Sequence, residues 1–260
     1  MADTIFDLSG KVALVTGGNG GIGLGMATAM AKAGADIAIW GTNADKNAAA
    51  EASLSACGVK AASYVCNVAD EDSVKATFAA TLDTFGRVDG CFANAGVTGR
   101  SKSFLDISAD EWRRVLSVNL DGVFYTYQAM LRHVLDRAGQ GDPGGRLVGV
   151  SSLASKSGAA RNEHYAATKG GLNAMSHALA VEYARYGVTS NTILPGWIET
   201  DMTEDAMGNE LFAGAIKPRI PHRRWGKPDD FGGIAVYLMS DSSAYHTGQC
   251  IMVDGGYWRF

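Results

Sequence analysis

The chain has 260 residues, 47% apolar and 19% charged, with a formal net charge of −4. That length buries a substantial core, and an acidic balance whose one basic cluster, 219–227, is short and interrupted excludes a nucleic-acid footprint. No apolar run approaches the roughly 20 residues of a membrane span. The opening Met1-Ala2-Asp3-Thr4 lacks the basic and apolar regions of a signal peptide, so the expected location is the cytosol. Cys57, Cys66, Cys91 and Cys250 are scattered, without Cys-x-x-Cys spacing or nearby histidines. They read as free thiols and not as a metal site.

Short apolar runs alternate with helical patterns along the chain, the rhythm of repeated βα units and a mostly parallel sheet. Strands are expected at 11–15, 36–40, 61–66, 90–93, 146–150, 189–193 and 249–253. Seven strands with helices between them suit a single α/β domain over 1–260, a doubly wound sheet with helices on both faces. The runs Ile37-Ala38-Ile39-Trp40 and Leu147-Val148-Gly149-Val150 are apolar on both faces, as strands covered on both sides are. The glycine-dense 139–145 follows a helix and precedes a strand, so it reads as a surface turn at the sheet edge away from any ligand.

The first strand runs into Thr16-Gly17-Gly18-Asn19-Gly20-Gly21-Ile22-Gly23 and then a helical segment at 24–32. Strand, glycine turn and helix in that order suit a dinucleotide: residues without side chains let a pyrophosphate approach, and the helix amino terminus offers free N–H groups. After the second strand, Gly41-Thr42-Asn43 holds no acid to bind the ribose hydroxyls of NAD, and neither Thr42 nor Asn19 offers a cation for the extra phosphate of NADP. Weak discrimination follows, with a lean toward NAD and NADP still possible. Asn119 lies within a helical stretch at 111–131, although asparagine is a poor helix former.

Tyr165-Ala166-Ala167-Thr168-Lys169 puts a phenol and an ammonium one helical turn apart, on one face. Bringing a phenol from about 10 to near 7 takes roughly 4 kcal/mol at about 1.36 per pH unit. One positive charge about 4 Å away supplies about that at an effective dielectric of about 20. Taken alone, such a pair is more often a half-buried ring beside a solvated lysine.

The pair does not stand alone. The pattern Thr-Gly-x-x-x-Gly-x-Gly, Asn94-Ala95-Gly96 after the fourth strand, Asn119, Ser152 thirteen residues before Tyr165, Pro195-Gly196 with Thr200, and the closing Asp254-Gly255-Gly256 together resemble the short-chain dehydrogenase/reductase family over essentially the whole chain. The resemblance implies a Rossmann fold and an NAD(P)-dependent oxidoreductase moving a hydride between the cofactor and a secondary alcohol or ketone. It implies Tyr165 as general acid/base and Lys169 as its partner and ribose ligand. Ser152 then holds the substrate oxygen, in preference to Ser151, and Asn119 holds a relay water. It assigns cofactor contacts to Gly17, Asn19, Gly20, Gly21, Ile22 and Gly23, to Thr42, to Asn94, Ala95 and Gly96, to Tyr165 and Lys169, and to Pro195, Gly196, Ile198 and Thr200. Asn67-Val68 stands where many relatives have aspartate before valine, so an adenine contact there would use an amide oxygen. The apolar segment 197–221 would form a substrate lid, and the assembly would be a homotetramer. An acyl-carrier-linked 3-ketoacyl reductase, docking its carrier on Arg100, Lys102, Arg113 and Arg114, is an alternative. So is a non-catalytic nucleotide-binding regulator.

Overall fold

A computed structural model describes residues 5–99 and 101–259. What the sequence leads one to expect of Met1 to Thr4 and of Arg100 therefore lies outside the described residues. Strands β1 (Val12–Thr16), β2 (Asp36–Gly41), β3 (Ala61–Val65), β4 (Gly90–Ala93), β5 (Gly145–Val150), β6 (Val188–Pro195) and β7 (Cys250–Val253) form one parallel sheet in the order β3-β2-β1-β4-β5-β6-β7. The chain winds outward from β1 to β3, then returns to lay β4 on the other side of β1. That reversal opens a crevice at the carboxyl ends of β1 and β4, where such sheets bind ligands.

Alternation explains how the sheet carries two cores. Ala13, Val15, Ile37 and Ile39 face one side and Val12, Leu14, Ala38 and Trp40 the other, all buried. The first side packs against Met26 and Met30 of α1 (Gly21–Lys32), Ala50 and Leu54 of α2 (Ala44–Ser55) and, late in the chain, Leu238. The second packs against Val74 and Phe78 of α3 (Glu71–Phe85) and, further on, Met130 and Leu172. Fully burying one such side chain contributes about 1.5–3 kcal/mol.

The remaining helices are α4 (Ala109–Leu116), α5 (Gly122–Gly139), α6 (Ala154–Ser157), α7 (Glu163–Glu182), α8 (Glu204–Gly208), α9 (Glu210–Ile216) and α10 (Gly232–Met239). The helical stretch expected at 111–131 is divided: Ser117–Asp121, between α4 and α5, is a π-helical turn. Helix α2 is capped by Asn43, α3 by Asp70 and α4 by Ser108, each side chain accepting a backbone N–H. Helix α1 starts at Gly20 with no side-chain cap. Gly21 and Ile22 of its first turn border the crevice.

Candidate active site and cofactor groove

The glycine loop keeps its shape for steric reasons. Gly17 sits at φ +62°, a left-handed conformation that favours glycine, and a Cβ on Gly23 would overlap the Gly17 carbonyl oxygen. Asn94 then ties the loop to β4. Its Nδ2 donates to the Thr16 and Gly17 carbonyls at 3.1 and 3.0 Å, while the Asn94 and Ala95 N–H groups donate to Thr16 Oγ1 at 3.1 and 3.0 Å. The Asn94 side chain is thus tied to the loop, and Asn94, Ala95 and Gly96 all border the groove.

That groove, about 300 Å³, has walls from the carboxyl ends of the central strands and from the start of α1, and both Tyr165 and Lys169 line it. Asn19, Gly20, Gly21 and Ile22 form its floor, and Pro195, Gly196, Ile198 and Thr200 enclose it from β6 onward. Gly23 supports the loop from within α1. Thr42 is exposed and outside the lining. Asn67 is exposed too, its Oδ1 accepting from the Ala69 N–H at 3.2 Å, and buried Val68 packs against Gly122.

Two residues on the α2 side escaped the sequence reading. Asn47 looks like a surface amide in a polar helix but is buried; it accepts from Asn19 Nδ2 at 2.7 Å and donates to the Gly41 carbonyl at 3.0 Å. Lys46 lines the groove, and its Nζ reaches Asp201 Oδ2, just past Thr200, at 2.7 Å. The groove therefore does hold a cation. The bridge is exposed at both ends and so contributes little to stability, while the Asp201 carboxylate raises the pKa of Lys46.

Ser151 and Ser152 follow β5 and diverge. The Ser151 hydroxyl is buried and donates to the Lys169 carbonyl at 3.0 Å, so it holds α7 to the sheet. Ser152 Oγ accepts from the Ala154 N–H at 3.1 Å and lines both the groove and the adjoining cavity with Tyr165. The Lys169 ammonium donates to the Val150 carbonyl at 2.8 Å and lies 5.5 Å from the centre of the Tyr165 ring.

The proton balance differs from the Coulomb expectation. Burial raises the Tyr165 hydroxyl above its ordinary value, with the Ser152 hydrogen bond opposing it, and burial pushes Lys169 down to about 8. Attraction between the groups is opposed by the cost of removing both charged forms from water, and that cost prevails.

Asn119 is fully buried in the π-helical turn, a deformation common at functional sites. Its Oδ1 accepts from the Val97 N–H and its Nδ2 donates to the Val97 carbonyl, both at 2.8 Å; Nδ2 also reaches Thr168 Oγ1 at 3.3 Å. A Cβ on Gly96 would lie 3.3 Å from Asn119 Oδ1 and 3.6 Å from Lys169 Nζ. The two polar atoms therefore border the space that this glycine leaves open.

Beside the groove lies a cavity of about 660 Å³, lined by Ser152 and Tyr165 and, beyond β6, by Trp197, Met202, Ala206 and Phe212. Neither α8 nor α9 buries a residue; Phe212 packs edge-on against Trp197 with ring centres 4.9 Å apart, and Leu211 is exposed. Trp197, Met202, Ala206 and Phe212 of the segment 197–221 thus cover a cavity, whereas Ile198 enters the main core.

Residues 17–258 match the family model described as Enoyl-(Acyl carrier protein) reductase. A gluconate 5-dehydrogenase of Gluconobacter oxydans is 35% identical over 97% of this chain and 96% of its own. A 3-oxoacyl-(acyl-carrier-protein) reductase of Chlamydia pneumoniae is 36% identical over 96% and 97%. The crystal structure of a gluconate 5-dehydrogenase from Burkholderia cenocepacia, in complex with NADP and tartrate, superposes with a TM-score of 0.91 at 33% identity, covering 98% of each chain. The chain belongs to the short-chain dehydrogenase/reductase family. It is an NAD(P)-dependent oxidoreductase that transfers a hydride between a nicotinamide cofactor and a secondary alcohol or ketone.

Proposed function

We propose that Tyr165 is the general acid in ketone reduction and the general base in alcohol oxidation, the observation carrying this being its place in the wall shared by groove and cavity. When bound, the nicotinamide supplies or accepts the hydride. Ser152 positions the substrate oxygen through its hydroxyl and steadies developing negative charge there. Lys169 keeps an ammonium beside the phenol with two N–H donors left over after Val150, enough to hold ribose hydroxyls. Asn119 Oδ1 and Lys169 Nζ hold a water in the space beside Gly96, and that water returns protons toward solvent. The uncapped start of α1 and the glycine floor suit a pyrophosphate. The segment 197–221 serves as the lid and excludes water during transfer.

The absence of an acid after β2 and of a cation at Thr42 argued for modest cofactor choice with a lean toward NAD. Lys46 adds a phosphate ligand, available once it leaves Asp201, and we place the preference within one to two powers of ten, or about 1.4–2.8 kcal/mol. Lys46→Ala is expected to lower kcat/KM with NADP about tenfold and with NAD less than twofold. Equal losses in steady-state assays with both cofactors would remove Lys46 from the phosphate site.

The carrier-docking alternative is less well supported, because Arg114 is occupied by Glu111 at 2.6 Å and by the Thr98 carbonyl at 3.0 Å. A panel of sugar acids, polyols, cyclic alcohols, steroids and ketoacyl thioesters, followed by nicotinamide absorbance in both directions, tests the reading. Turnover confined to carrier-bound thioesters would favour the alternative, and no turnover of any member would favour a regulator.

We further propose a homotetramer working in the cytosol, in keeping with four free thiols and with no helix, among the described residues, long and apolar enough to cross a membrane. Strand β7 is a half-exposed edge, and α5 and α7 expose Phe124 and Val181, surface that assembly would cover. Light scattering at micromolar concentration is expected to give the mass of four chains; a monomer would refute this.

A further inference from the structure

One residue of the cavity wall carries both an unfavourable backbone and an unspent charge. Arg161 lies four residues before Tyr165, at the entry to α7, with φ at +66°. The left-handed region disfavours side chains other than glycine, asparagine and aspartate, so an arginine held there costs stability, and such outliers gather at ligand clamps. The conformation is enforced from both sides: the Arg161 carbonyl accepts from the Ser101 N–H at 3.2 Å, and its own N–H donates to Glu163 Oε1 at 3.0 Å. Arg223, the other described non-glycine residue at positive φ, spends its guanidinium on the Pro218 carbonyl. Among the described residues nothing pairs with the Arg161 guanidinium, Glu163 included.

The wall around it sharpens the contrast. Among the described lining residues Arg161 is the only formally charged side chain; the others are apolar or neutral, from Thr98 and Asn162 to Trp197 and Tyr257. A guanidinium presents a planar fork of donors that matches a carboxylate or phosphate oxygen pair, and Arg161, itself exposed, offers that fork on the wall of the cavity. We infer that Arg161 is the anion-recognition residue of the substrate cavity, so that the preferred substrate is a secondary alcohol or ketone carrying a carboxylate or phosphate ester. This rests on the reading of Tyr165 and Ser152 as the reacting end of the same cavity. The positive φ is then the structural cost of placing a long cation among the glycine, alanine and serine residues of that wall.

Matched pairs test it: D-gluconate against D-gluconamide for the carboxylate, and sorbitol 6-phosphate against sorbitol for the phosphate. The wild type should prefer the charged member of at least one pair by tenfold or more in kcat/KM, and the pair that shows this identifies the anion. In Arg161→Gln and Arg161→Gly that ratio should collapse to near unity. The glycine variant suits the same φ, so misfolding does not confuse the result. In parallel, the fluorescence of the reduced-cofactor complex is titrated with gluconate and sorbitol 6-phosphate. Anion binding that is lost in both variants, without turnover of any compound, would support the anion site and count against the oxidoreductase assignment of Tyr165 and Ser152. Equal turnover of charged and neutral members, or anion binding unchanged in the variants, would overturn the inference and leave that assignment standing.

Discussion

Tyr165→Phe is expected to reduce kcat about a hundred- to ten-thousandfold, the effect of losing a positioned acid or base, while cofactor affinity stays within about twofold. The phenyl ring keeps the volume that lines groove and cavity, and Lys169 keeps its Val150 hydrogen bond. Only the transferable proton is lost. Cofactor titration by fluorescence alongside single-turnover rates separates the two effects, and a Phe variant with wild-type turnover would show that another group moves the proton.

Lys169→Met is expected to remove at least a hundredfold in turnover and yet to raise stability, measured without cofactor, by about 1–3 kcal/mol. Burial pushes Lys169 down to about 8 from an ordinary 10.5, and at about 1.36 kcal/mol per pH unit holding it charged costs about 3 kcal/mol at neutral pH. Losing the Val150 hydrogen bond offsets about 1 kcal/mol of the gain. Below pH 8 both the folded and unfolded chains carry the proton, so this cost is constant. Between about 8 and 10.5 the unfolded chain still binds the proton and the folded chain does not, so wild-type stability rises with pH across that window. The Met variant lacks this rise. At about 2–4 °C per kcal/mol, its melting temperature at pH 7 should increase by about 2–12 °C. A fall of similar size would mean that the buried ammonium stabilises the fold.

How much was legible beforehand depended on how far apart the deciding residues lie. The strands could be placed within one or two residues because successive positions such as Leu14 and Val15 feed different cores and are both apolar. Glycine spacing marked the loop and the start of α1, since only glycine tolerates the approach of Gly23 to Gly17. What escaped was set by tertiary packing. Lys46 meets Asp201 across 155 positions of sequence, and Asn47 looks polar and exposed until β2 and β3 turn their carbonyls to it. The Coulomb argument at Tyr165 and Lys169 leaves out their burial, which reverses the direction of the phenol's shift. Asn119 stood out as a poor helix former, but the π-helical turn that brings its amide to Val97 has no local signature.

The most direct test of the account follows the hydride itself. Cofactor reduced with deuterium at the transferable nicotinamide position is incubated with the ketones of the substrate panel, and the alcohols formed are analysed by mass spectrometry and NMR. The account predicts deuterium at the carbinol carbon with wild-type protein, and a rate at least a hundredfold lower with Tyr165→Phe. Alcohol formed without deuterium at that carbon, or labelled equally fast by the Phe variant, would contradict it.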